Sequence, residues 1–130
     1  MTAPRGRVLV IEDNPLNLEL VSGVLESLGC DIVPAGTAEL GLQLATQAPP
    51  DVILLDMWLP GMSGEEAIRL IRQDRALRDI PVIAITAQAM RGDEASALRL
   101  GFDAWISKPI DNRRLRELVR GYLQSRRESR

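Results

Sequence analysis

The sequence predicts an α/β fold: a doubly wound, five-stranded parallel sheet alternating with five helices. Three observations predict it. The runs Val8-Leu9-Val10-Ile11, Val52-Ile53-Leu54-Leu55 and Val82-Ile83-Ala84-Ile85 are apolar at every position, as strands of a parallel sheet covered on both faces require. Segments of helical spacing separate them, and strand–helix alternation repeated five times argues for right-handed crossovers rather than hairpins. The chain has 130 residues, 45% of them hydrophobic, which is ample for one core.

Each element has its own signal. The first strand, 8–11, ends in Glu12-Asp13. Asn14 followed by Pro15 supplies the N-cap and first-turn signal of the first helix, on one face of which fall Leu16, Leu20, Val21, Val24, Leu25 and Leu28. Gly29 stops it. Asp31-Ile32-Val33, closed by Pro34, is a short second strand that the proline places at a sheet edge. Thr37 caps a second helix through Thr46. The third strand delivers Asp56, and Ser63 with Glu66 forms a capping-box pattern that opens the third helix. The fourth strand ends at Thr86, and a short fourth helix from Asp93 to Leu100 is ended by Gly101. Ala104-Trp105-Ile106 is the other edge strand and leads to Lys108. The fifth helix begins at Asp111 and carries Leu115, Leu118, Val119, Tyr122 and Leu123 inward. The expectation is a single domain over 1–130, its core about 7–123 and a polar basic tail over 124–130.

Composition removes several function classes. Charged residues are 26% of the chain and the net charge is -2, so neither direct nucleic-acid binding nor attraction to an anionic membrane is expected. No secretory signal or membrane-length apolar run is present, and a soluble, cytoplasmic protein is expected. Cys30 is the only cysteine, which excludes an internal disulfide and a Cys-based zinc site. The chain has no histidine, which excludes Ser-His-Asp and Cys-His catalysis, His-ligated metals and a histidine phosphodonor of its own. Any phosphoryl chemistry falls to carboxylates.

In a sheet of this kind ligands bind beyond the carboxyl ends of the strands, where strand order reverses. The residues at those ends are Glu12 and Asp13, Asp56, Thr86 and Lys108, so one cleft collects all five. Carboxylates at roughly 5 Å and an effective dielectric near 20 repel by about 3 kcal/mol per pair. A divalent cation relieves that repulsion, and an oxygen-only donor set favours Mg²⁺, with Mn²⁺ as a substitute. A carboxylate can attack phosphorus, provided that charge on the transferring group is neutralised. Asp56 is the candidate phosphoacceptor, with Mg²⁺, Lys108 and Thr86 receiving the phosphoryl oxygens.

These residues carry a resemblance. Glu12-Asp13-Asn14, Asp56, Leu59-Pro60-Gly61-Met62-Ser63-Gly64, Thr86-Ala87 and Lys108-Pro109 stand in the order found in receiver domains of two-component response regulators, and the chain resembles that family over 7 to about 123. The resemblance implies a flavodoxin-like receiver fold with strand order 2-1-3-4-5. It implies Mg²⁺ held by Asp13, Asp56 and the Trp58 backbone carbonyl, with Glu12 helping through water, and a cis Lys108-Pro109 bond. The implied function is a phosphorylation-dependent switch, not a turnover enzyme. Asp56 would accept a phosphoryl group from a sensor histidine kinase or histidine phosphotransfer protein docking near Pro15, Leu16 and Leu18. Movement from Thr86 through Gly92 would then reach a downstream protein target. The surface of the fourth helix, fifth strand and fifth helix, near Arg91, Asp93, Glu94, Arg99 and Arg116, is the implied output or homodimer face. A stand-alone receiver and one excised from a larger protein such as a hybrid kinase both fit.

Blander readings compete. Glu12 or Asp13 alone reads as a loop acid or cap, Lys108 as a solvated charge and Thr86 as a strand end; convergence with Asp56 reverses this. Trp105 occupies the family's switch-aromatic position, but it also reads as a half-buried edge-strand residue anchoring the fifth helix. Trp58, two residues after Asp56, is read as shielding an acyl phosphate from water. Arg113, Arg114, Arg116, Arg120, Arg126, Arg127 and Arg130 read as a solvated basic face. Among rivals, an aspartate-nucleophile phosphohydrolase would usually place a second acid where Trp58 stands. A nucleotide- or flavin-binding domain would want a glycine-rich turn where Glu12-Asp13-Asn14-Pro15 would repel phosphate. A phosphorylation-independent interaction module would tend to lose one of the acids, the threonine or the lysine.

Overall fold

The computed structural model describes residues 6–86 and 93–129. Strands β1 (Arg7–Ile11), β2 (Asp31–Ala35), β3 (Val52–Asp56), β4 (Val82–Thr86) and β5 (Ala104–Ser107) form one sheet in the order β2-β1-β3-β4-β5. All neighbours are parallel. Between them run α1 (Pro15–Ser27), α2 (Ala38–Gln47), α3 (Gly64–Gln73) and α4 (Asp93–Leu100), and α5 (Asn112–Ser129) follows β5. The chain leaves β1 for the β2 edge and then crosses to β3 on the other side, so strand order reverses between β1 and β3.

Alternation along each strand divides the core in two. Leu9, Ile11, Ile53, Leu55, Val82 and Ala84 pack with residues of α2, α3 and α4. Val8, Val10, Val52, Leu54, Ile83 and Ile85 pack with residues of α1 and α5 on the other face. That is why the three central runs are apolar throughout: neither face meets water.

The helix starts follow the predicted chemistry. Asn14 Oδ1 accepts the N–H groups of Leu16 and Asn17, Thr37 Oγ1 that of Leu40, Ser63 Oγ that of Glu66, and Asp111 Oδ1 those of Arg113 and Arg114. Gly29 and Gly101, just past α1 and α4, take φ of +78° and +115°, values that favour glycine at a helix stop. Cys30 is buried there, and burial, followed by the nearby Asp31 and Asp51 charges, raises its thiol pKa.

Several expectations need correction. Leu16 and Leu20 are 75% and 46% exposed, whereas Val21, Val24 and Leu25 are buried. At about 100° per residue, Leu16 and Leu20 lie roughly half a turn from Leu25, off the buried seam. Pro34 does not close β2, which continues through it to Ala35 with Pro34 opposite Val10. A strand bonded on one side only can absorb the missing N–H. The polar residues after Leu123 continue α5 as far as Ser129, since Arg, Gln and Glu are good helix formers even without an apolar stripe. Residues 1–5, Ala87, Arg91, Gly92 and Arg130 lie outside the described residues, as do the side chains of Asp93, Glu94, Arg126 and Arg127.

Candidate functional site

The five candidate side chains come from four strand ends. The Glu12 N–H donates to the Ala35 carbonyl at 2.9 Å, which prolongs β1 by one residue, and the Glu12 side chain is buried at 1% exposure. Asp13, next along, is exposed. Asp56 ends β3 and is also 1% exposed. Its Oδ1 accepts the Trp58 backbone N–H at 2.9 Å and its Oδ2 accepts Lys108 Nζ at 2.9 Å. Thr86 ends β4, and its carbonyl accepts the Lys108 N–H at 2.7 Å, so the lysine is tied by its backbone to one strand end and by its ammonium to another. The Lys108–Pro109 bond is cis.

The cluster's electrostatics are only partly balanced. Carboxylate oxygens of Glu12, Asp13 and Asp56 lie within 4.8 Å of one another. Glu12 Oε2 accepts the Asn14 N–H at 3.2 Å, but Oε1 is buried without a hydrogen bond, 3.7 Å from Lys108 Nζ. Burial first, and then the adjoining Asp56 carboxylate, push the Glu12 pKa up to about 7. For Lys108 burial acts downward, yet the Asp56 hydrogen bond and the charges of Asp56, Glu12 and Asp13 outweigh it and raise the pKa. One ammonium thus faces three carboxylates. An unpartnered buried oxygen, two further acids and an all-oxygen donor set fit a hard divalent cation such as Mg²⁺.

Beside this cluster lies a cleft of about 430 Å³ whose walls include Met57, Trp58, Thr86, Ala97, Leu100 and Trp105. Trp58 is 66% exposed, so it stands at the cleft as a wall rather than a buried cover. Trp105 is half-buried against the core on the α2, α3 and α4 side, and its Nε1 is buried without a hydrogen-bond partner. The Arg114 guanidinium of α5 sits 5.9 Å from the Trp105 ring centroid and donates to the Trp105 carbonyl from Nε and Nη2, at 3.3 and 3.0 Å. That contact joins β5 to α5 chiefly through the Trp105 backbone carbonyl.

Arg72 is a polar centre that sequence reasoning missed. It donates to the Gly101, Arg78 and Ile80 carbonyls and to Asp103 Oδ2, every bond at 2.8 Å. Three of the four acceptors are backbone carbonyls, which any residue provides, so no sequence pattern marks the site.

The family model for the response regulator receiver domain matches residues 8–120. The polar-differentiation response regulator DivK of Brucella ovis is 41% identical over 116 residues, covering 89% of this chain and 94% of that protein. Among solved structures, the receiver domain of a sensor histidine kinase from Pseudomonas aeruginosa, with a magnesium ion coordinated in its active-site cleft, superposes with a TM-score of 0.84 at 30% identity, covering 93% of this chain and 99% of that one. The signal receiver domain of a signal transduction histidine kinase from Syntrophus aciditrophicus gives 0.84 at 28% identity, covering 92% and 91%. No described helix is long and apolar enough to cross a membrane.

Proposed function

Since this chain belongs to the response regulator receiver domain family, whose general function is phosphorylation-dependent signalling, we propose that Asp56 accepts a phosphoryl group from a phosphohistidine and that a protein partner reads the change. The observation that carries the reading is Asp56 itself: a buried carboxylate at the end of the middle strand, one oxygen on Lys108 Nζ and the other on the Trp58 N–H, beside two more acids. Two hydrogen bonds hold the carboxylate in one orientation, and positioning, together with neutralisation of charge, is what phosphoryl transfer asks of a protein.

In this reading an Asp56 oxygen forms a bond to phosphorus as the bond from phosphorus to the donor imidazole nitrogen breaks, and the imidazole leaves with the electron pair. Lys108, already paired with Asp56, offsets charge on the phosphoryl oxygens, and Thr86 donates its hydroxyl to one of them. Asp13, Asp56 and the Trp58 carbonyl would hold Mg²⁺ or Mn²⁺, with Glu12 assisting through water; when bound, the cation supplies the positive charge that the carboxylates and the transferring group lack. The chain is a stoichiometric acceptor here, not a turnover enzyme.

Leu16 and Leu20, exposed at the start of α1, offer the apolar surface on which a sensor histidine kinase or histidine phosphotransfer protein would dock, next to the expected Pro15 and Leu18. On the output side, Thr86 and Trp105 line one cleft and Arg114 ties Trp105 to α5, so the α4–β5–α5 surface is the route to a downstream target or a second copy. A phosphoryl group shifts the balance only through contacts that differ between states; Thr86 and Lys108 provide them, with Trp105 as the switch residue.

Incubation with Mg²⁺ and acetyl phosphate, followed by intact mass, tests the reading. A phosphoryl adduct is expected on the parent and none on Asp56→Asn. Absence of an adduct from both would overturn it in favour of an interaction module that works without phosphorylation.

A further inference from the structure

The first turn of α3 lies against the segment that follows Asp56. The Gly64 N–H donates to the Met57 carbonyl at 3.4 Å, and Gly64 is buried. A Cβ on Gly64 would stand 2.8 Å from Met57 Cα, 3.0 Å from Met57 Sδ and 3.2 Å from the Asp56 carbonyl oxygen. The first and last of these are backbone atoms, which cannot swing aside as a side-chain tip can. Gly64 takes no positive φ, so its backbone does not require glycine; only the missing side chain does. Met57 is the link between Asp56 and Trp58, whose N–H orients Asp56 Oδ1.

We propose that Gly64 is a positioning residue for the acidic cluster: the absence of a side chain there lets α3 press on the Met57 backbone, which sets where the Trp58 N–H and carbonyl stand relative to Asp56. The inference rests on the functional reading above, because it concerns the divalent cation that those groups would hold. Alanine ordinarily favours a helix over glycine, so at an open site Gly64→Ala would be harmless. Here it wedges the loop away from the cluster.

The test is calorimetric titration of the metal-free protein with Mg²⁺, well below the thermal midpoint of every variant. Gly6→Ala serves as the control, since its added Cβ meets the Leu123 side chain, far from Asp56. Gly64→Ala is expected to weaken Mg²⁺ binding about tenfold, the low end of what losing an outer support of a metal site costs. Gly6→Ala should bind as the parent does even though its midpoint falls. Equal affinity in Gly64→Ala and parent would overturn the assignment of Gly64 alone, whereas a parent that binds no Mg²⁺ overturns the functional reading and this inference with it. If Gly64→Ala does not fold, Ser63→Ala decides. It removes the cap that accepts the Glu66 N–H and loosens the same turn without adding bulk; weaker Mg²⁺ binding supports the inference and parent affinity overturns it.

Discussion

Two cationic centres join separate segments of this chain, and they are built in opposite ways. Around Arg72 every bond is short: four donations at 2.8 Å link α3 to the turn after it, the start of β4 and the α4–β5 connection, and Asp103 Oδ2 also accepts the Val82 N–H at 2.8 Å. Around Lys108 one short bond to Asp56 is accompanied by a 3.7 Å approach to Glu12, and a buried carboxylate oxygen goes without a partner. The first centre places four of its five N–H donors in short bonds and fastens the fold. The second keeps unmet demand for positive charge where a charged reactant would arrive, and unmet demand of that kind marks a site of chemistry.

The contrast can be broken experimentally from either side. Replacing Arg72 should give the largest change in stability. Arg72→Met is expected to lower the unfolding free energy by about 2–4 kcal/mol in urea denaturation, because it takes the donor from the part-buried Gly101 and Ile80 carbonyls. It should leave the phosphoryl adduct on Asp56 intact; loss of the adduct in a folded Arg72→Met protein would mean that the two centres are not separate.

Glu12 should respond with the opposite sign. Its folded pKa of about 7 lies above the ordinary 4.5, so between those values the folded, metal-free protein holds more protons than the unfolded chain. Stability must therefore fall as pH rises through that window. Glu12→Gln removes the cost, and urea denaturation in EDTA at pH 8 should show a gain of roughly 1–3 kcal/mol over the parent, shrinking toward zero near pH 5. A variant less stable than the parent at pH 8 would show that the carboxylate is better accommodated than its surroundings indicate.

The smallest expected effect belongs to Trp58. If its indole shields an acyl phosphate, Trp58→Asn should hydrolyse faster once the donor is removed, as followed by intact mass. With the side chain two-thirds exposed, the acceleration should be severalfold and no more. Decay no faster than the parent's would end the shielding idea.

Much of this was legible in the sequence because it rests on local chemistry. The apolar runs gave the strands, Asn14, Thr37, Ser63 and Asp111 gave the helix starts, and strand ends brought Glu12, Asp13, Asp56, Thr86 and Lys108 together. What escaped depends on the third dimension. Periodicity grouped Leu16 and Leu20 with Val21 and Val24, but only the packed helix reveals which part of that face meets the sheet. Pro34 reads as a terminus even in a strand already expected at an edge, because only the pairing with Val10 and Ile11 shows that β2 runs on through it to Ala35. Arg72 meets a partner 31 residues away, and Gly64 lies against the backbone of Met57, seven positions earlier; neither relation leaves a pattern in composition.

The chain has two tryptophans, and both stand in the wall of the cleft that Thr86 shares. All of its indole emission therefore originates within one small region beside the acidic cluster. Ion binding, phosphoryl transfer or partner docking at that region can be followed in the unlabelled protein as a change in intensity or wavelength, and Trp58→Phe and Trp105→Phe would divide the signal between the solvent-facing wall and the one held against α5.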